Sequence, residues 1–238
     1  MTQTRPGAEW KPLYRAGGAA ALITAVLIPL QVIFFVVWPP PLDGTASEWF
    51  GLFQDNRLRE LLNLDLLLMV DYVLLVPIVL ALYVALRRAS ESFMAVATAL
   101  HFVTIAAYFA SNTAFEMLPL SDGYAAATTD AQRATYLAAG QAMLATFQGT
   151  AFHANYVLGS VAGIMIGVVM LRSDVFGRVA AYALVLRDVI GLGLYVPAVG
   201  HFLSVGSILV LWVWCVLIAR RLIQLGAGVS KEGEVYRS

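Results

Sequence analysis

Six apolar stretches dominate the chain, at approximately 17–38, 62–86, 93–118, 151–171, 176–196 and 201–222. Each runs for about the 20 residues that a helix needs to cross a hydrocarbon core roughly 30 Å thick. The fold they imply is all-α: a polytopic membrane protein with a bundle of six transmembrane helices over 17–222, between cytoplasmic tails at 1–16 and 223–238. Composition agrees, with 60% hydrophobic and 13% charged residues, against about 25% charged in soluble domains. Proline lacks the N–H that continues a helix, so Pro39, Pro40 and Pro41 are expected to close the first stretch, Pro119 the third and Pro197 the fifth. Pro29 and Pro77 fall inside the first and second, where they are expected to kink the helices.

Lysine and arginine orient the bundle. In a six-span arrangement one side collects Arg5, Lys11, Arg15, Arg87, Arg88, Arg172, Arg178, Arg220, Arg221, Lys231 and Arg237, and the other only Arg57, Arg59 and Arg133. The positive-inside rule then places both termini in the cytoplasm of a multi-pass cell-membrane protein. The first stretch is too long for a secretory signal, and no small-x-small cleavage site follows it in WPPPLDG, so it is expected to be retained. Net charge is zero, which excludes a generally basic, nucleic-acid-binding chain; the partner implied is the lipid bilayer. Cys215 is the single cysteine, so no intramolecular disulfide can form.

The two long connections fall on the outer side. Thr45 with Glu48, and Thr129 with Gln132, each carry the capping-box spacing ahead of mixed apolar and polar segments. Both segments are expected to be amphipathic helices, either anchored at the interface or packed as a cover over a site.

Within the spans, polar residues are unevenly placed. LVLRDVIGL sets Arg187 and Asp188 near the midplane of the fifth stretch at about 1.5 Å per residue. Adjacent helical residues point about 100° apart, so each is expected to find a partner on another helix. Asp71, near the midplane of the second stretch, is the expected partner of Arg187, with Asp188 sharing the arginine or turned toward water. Such a network either fixes helix register or lets Arg187 hold an anionic or polar head group, with Asp71 or Asp188 as proton donor or acceptor.

Further out, His101, Thr104, Tyr108, Asn112 and Glu116 form a stripe at helical spacing. His153, Tyr156 and Ser160 share one face of the fourth stretch, and His201 opens the sixth. All of these except His101 and Thr104 lie at the midplane or in the outer half, which implies a polar cavity open to the outside and closed to the cytoplasm. The candidate catalytic groups are Asp71, Asp188, Glu116 and His153; the candidate ligand-binding groups are Arg187, Asp65, Tyr108, Asn112, Tyr156 and His201. Glu116, His153, His201 and Asp65 lack the local spacing of a metal motif, so no metal and no cofactor is assigned. Gly159, Gly163 and Gly167 form a small-xxx-small run expected to pack helices within the chain, with a homo-oligomer as the other use of such a run.

LALYVALRR in the second stretch and HANYVLGSVAGIMIGVVMLRSDVFGRVAAYAL across the fourth and fifth resemble a family of six-helix bacterial integral membrane proteins catalogued as a domain of unknown function. The resemblance covers roughly 15–222, with His153 at a position where that family has a histidine. Asp174 and Gly177 stand where the family pattern has glycine and proline, and Arg187 and Asp188 where it has small or apolar residues. It implies the fold and a bacterial membrane, with no activity attached.

Three functions suit these features. The first is a membrane-embedded enzyme whose outward cavity takes a small lipophilic or amphipathic substrate and performs acid–base chemistry. The second is a transporter or receptor that binds a similar molecule unchanged. The third is a structural or accessory protein whose buried charges only lock helix register.

Overall fold

A computed structural model describes residues 8–41 and 43–228; Arg5, Lys231 and Arg237, with the outermost parts of both expected tails, lie outside the described residues. Among the described residues there are ten α-helices and no strand. They are α1 (Lys11–Val37), α2 (Ala46–Asp55), α3 (Arg57–Asn63), α4 (Leu66–Leu86), α5 (Glu91–Ser111), α6 (Ala114–Ala126), α7 (Asp130–Phe147), α8 (Thr150–Leu171), α9 (Arg178–Leu192) and α10 (Gly200–Ala227). Five helical stretches are long and apolar enough to cross a membrane: Lys11–Val37, Leu66–Leu86, Glu91–Ala126, Asp130–Leu171 and Phe202–Ala227. The expected fifth stretch is shorter than the apolar run suggested, because α9 has 15 residues and gives way to a single 3-10 turn at Gly193–Tyr195.

The chain divides into two compact units. The first comprises Met1–Ile28, Asp71–Thr104 and Tyr156–Ser238. Its core is built from small and branched residues: Ala20, Ala21 and Ala25 of α1, Ala81 and Leu82 of α4, Ile166 and Met170 of α8, Ala181 and Leu184 of α9, Ile218 and Leu222 of α10. Lipid offers apolar side chains no hydrophobic penalty, so helices associate here by close contact and interhelical hydrogen bonds. Two such bonds are explicit. Trp212 Nε1 of α10 donates to Ala25 O of α1 at 2.9 Å, and Arg15 Nε donates to Gly226 O at 3.1 Å.

The glycine run on α8 has the intramolecular use expected of it. A Cβ on Gly167 would lie 2.5 Å from Val185 of α9, and one on Gly163 would lie 1.9 Å from Asp188 Oδ2. The bare backbone of α8 is therefore a notch that α9 fills.

The second unit comprises Pro29–Val70 and Ile105–Asn155. Here both capping boxes form: Thr45 N donates to Glu48 Oε2 at 2.7 Å, and Gln132 N donates to Thr129 Oγ1 at 3.2 Å. Capping starts α2, whose buried face of Ala46, Trp49, Phe50 and Phe53 follows the i, i+3, i+4, i+7 pattern. Burying each of the two phenylalanines stabilises by roughly 1.5–3 kcal/mol. Their partners are Ala114 and Met117 of α6 and a partly buried row on α7 that includes Leu137, Leu144 and Phe147. α7 comes close enough that a Cβ on Gly140 would lie 2.5 Å from the Phe50 ring.

Three local expectations change. The first outer connection is two helices, not one, since Asn56 is extended (φ −157°) and its side chain accepts from Arg59 N to cap α3. The second apolar stretch begins at Leu66, because Asp65 turns the chain at a left-handed φ of 66°. Pro119 does not end the third stretch; α5 stops at Ser111 and Pro119 lies inside α6. The break comes instead from Asn112, whose Oδ1 accepts from Ala114 N and so replaces a backbone acceptor.

Candidate functional site

α9 carries the charged pair. Arg187 Nη1 donates to Oδ1 of its own neighbour Asp188, not to Asp71 as the sequence suggested. The 100° rule holds for Cβ directions, but an arginine stem is long enough to swing its guanidinium back over an adjacent short carboxylate. The two partners differ in exposure: the Asp188 side chain is fully buried, whereas that of Arg187 keeps 33% of its surface. Asp188 Oδ2 has no hydrogen-bond partner and lies in the Gly163 notch.

Arg187 is also the hub of a wider cluster. It lies within electrostatic reach of Tyr72 on α4, His101 on α5, Tyr156 on α8 and Cys215 on α10. His101 is buried and its Nδ1 is 3.0 Å from Ala97 O. A carbonyl only accepts, so Nδ1 holds the proton and Nε2 is the basic nitrogen. Tyr156 is held at both ends of its hydroxyl, donating to Gly191 O at 3.1 Å and paired with Ser204 Oγ at 2.9 Å. Five helices thus converge on one guanidinium, which has five N–H donors and gives one to Asp188. The arrangement can hold an anion.

Asp71 is apart from the ion pair. Its side-chain neighbour is Thr24 of α1, yet neither Asp71 Oδ1 nor Thr24 Oγ1 completes a hydrogen bond. A buried carboxylate oxygen in this state is a proton-transfer candidate, as is Asp188 Oδ2, the other one among the sequence candidates of the first unit.

In the second unit two of the other candidates, Tyr108 and Asn112, serve the backbone. Asp65 Oδ1 accepts from Gln31 Nε2 at 3.1 Å. Tyr108 donates to Asp65 O at 3.2 Å, and Asn112 Nδ2 donates to Leu64 O at 2.9 Å. These bonds bracket the left-handed turn between α3 and α4, where Asp65 O also accepts from Met69 N at 2.9 Å. Glu116 and His153 are exposed on α6 and α8, and the His153 ring stacks edge-on against Phe152 at 5.3 Å. The side chain of His201 lies outside the described part of the structure. Among the described residues no group of three His, Cys, Asp or Glu side chains is placed to hold a metal ion.

Tyr72, His101 and Cys215 joined the Arg187 cluster without being selected from sequence. His101 had a usable signal, as a histidine in the helical polar stripe, whereas Tyr72 and Cys215 carry no comparable signal in the sequence. What the fold defines is an all-α chain with five membrane-length apolar stretches and a charged pair on a short helix packed against α10. No protein-family model, curated protein or solved structure matches the chain.

Proposed function

We propose that the chain is a multi-pass cell-membrane protein of six spans, with both termini cytoplasmic, that binds the anionic head of a small lipophilic or amphipathic molecule at Arg187. The observation that carries this is the asymmetry of the pair: a fully buried Asp188 takes one donor from an arginine whose side chain keeps a third of its surface. An ion pair serving only helix register would be expected to bury and satisfy both partners. Counting α9 with its 3-10 turn as the sixth span accords with the arginine distribution of the sequence and with the six-helix bacterial family it resembles.

A membrane-embedded enzyme is the more specific form of the same proposal. It is favoured by Asp71, whose unpartnered buried carboxylate oxygen offers acid–base chemistry toward a substrate whose head is held by Arg187.

The test uses the full chain in phosphatidylcholine nanodiscs with decanoate, decanol and decylammonium as probes. Decanoate is expected to bind saturably, and Arg187→Met/Asp188→Asn, which removes both charges, to weaken it about tenfold or more, as loss of a charged hydrogen bond predicts. Equal binding of decylammonium, or undiminished decanoate binding by the double variant, would overturn the proposal.

A further inference from the structure

The second unit contains a cavity of about 240 Å³ between the loop after α1, the buried face of α2, the end of α3 and the last turns of α7. Its apolar wall includes Trp49, Leu64, Leu144 and Phe147. Its polar lining includes Asp43, Asn63 and Gln141, and among the described residues no lysine, arginine or histidine lines it.

Asn63 is the informative residue. It is 5% exposed, and its Oδ1 is buried without a donor. The orientation of the amide is fixed from behind: Asn63 Nδ2 donates to Glu60 Oε2 at 3.0 Å, and Glu60, itself wholly buried, accepts from Arg59 Nε at 2.6 Å. A carboxylate accepts only, so Nδ2 must face Glu60 and the carbonyl oxygen must be the atom left over. An Arg–Glu–Asn relay inside a small unit is expensive to desolvate, and it leaves one buried acceptor without a donor on a residue of the cavity wall. Gln141 does not fill that need: its Oε1 accepts from Ala46 N, 3.4 Å away, and no donor, its Nε2 included, reaches Asn63 Oδ1.

We propose that this cavity is a binding site for a small organic ammonium ion, whose N–H donates to Asn63 Oδ1 while its apolar body lies against Trp49 and Phe147. Asp43 supplies the one formal charge of the lining, and Glu48 stands next to Gly44 at the same edge, with Oε2 3.1 Å from where a Gly44 Cβ would be. Negative charge, a lone acceptor and aromatic walls all favour a cation, and an anion would meet no counter-charge. The volume falls below the roughly 300–1,000 Å³ of drug-sized pockets, so the ligand is of single-ring size. The site does not depend on the Arg187 proposal.

The test is ligand-observed NMR on the full chain in phosphatidylcholine nanodiscs, with benzylammonium, benzyl alcohol and benzoate as probes. Saturable binding of benzylammonium in preference to the other two is expected. Asn63→Leu is expected to weaken it about tenfold, the loss of one charged hydrogen bond. Asp43→Asn, at an exposed position, is expected to weaken it severalfold without disturbing the fold, and Arg187→Met/Asp188→Asn to leave it unchanged. If Asn63→Leu fails to fold, Leu144→Trp, which fills the cavity, takes its place. No saturable binding of benzylammonium, equal binding of benzoate, or unchanged affinity in Asp43→Asn together with Leu144→Trp would each overturn the proposal and leave the cavity to water.

Discussion

Arg187→Met removes the donor from a carboxylate that is 1% exposed. Asp188 cannot turn to water, because its second oxygen already occupies the Gly163 notch. Breaking a buried pair from one side costs about 3–5 kcal/mol, and insertion scales put an unpaired aspartate at a helix centre near 3 kcal/mol, so a loss of about 3 kcal/mol is expected. The reverse change is milder. Asp188→Asn keeps the shape that fits the notch, and the Arg187 it leaves behind has a third of its surface exposed, so a loss of about 1 kcal/mol is expected. The double variant is expected to resemble Asp188→Asn, giving a coupling energy of about 3 kcal/mol. Unfolding of all four proteins by SDS titration in mixed micelles, followed by far-UV circular dichroism, measures the cycle. Additivity to within about 0.5 kcal/mol, or a larger loss from Asp188→Asn than from Arg187→Met, would refute the reasoning.

Gly163→Ala forces a Cβ to within 1.9 Å of Asp188 Oδ2, whereas Gly159→Ala meets only Thr104 Cγ2 at 3.1 Å. The first is expected to destabilise by about 3 kcal/mol and the second by under about 1 kcal/mol in the same assay, with Asp188→Ala partly rescuing Gly163→Ala. Asp65→Ala removes the short polar side chain that tolerates φ 66° and the bond from Gln31, and is expected to cost about 1–2 kcal/mol, while Asp65→Asn, which tolerates that region, is expected to be close to wild type; thermal unfolding compares them. Thr45→Ala removes one capping box and about 1 kcal/mol, seen as faster hydrogen exchange confined to α2. For orientation, cysteines placed at Thr128 and Asp174, both exposed, in a Cys215→Ser background are expected to react with an impermeant thiol reagent from opposite sides of sealed vesicles.

Helix signals that depend on a few neighbouring residues were legible in the sequence. Thr45 with Glu48 and Thr129 with Gln132 marked two helix starts, because a capping box needs only residues three apart. The glycine spacing on α8 likewise announced a close helix contact, since no other helix could approach a side chain there. Breaks were harder. Asn56, Asp65 and Asn112 each end or turn a helix by a side-chain or left-handed device that a single polar residue does not advertise, and Pro119 suggested a stop that the helix absorbs. The burial of charge was legible at Asp188, whereas the Arg187 side chain keeps a third of its surface, and their pairing depends on where a flexible guanidinium lies. Glu60 carries no signal of its own in the sequence, although it is wholly buried between Arg59 and Asn63.

The central claim is that Arg187 holds an anionic head group. Native mass spectrometry of the protein, released gently from the membranes in which it is made, tests it most directly. A stoichiometric small anionic amphiphile on the wild-type chain, absent from a folded Arg187→Met/Asp188→Asn variant, is the expected result. A wild-type chain that is folded and empty, or a double variant that carries the same molecule, would contradict it.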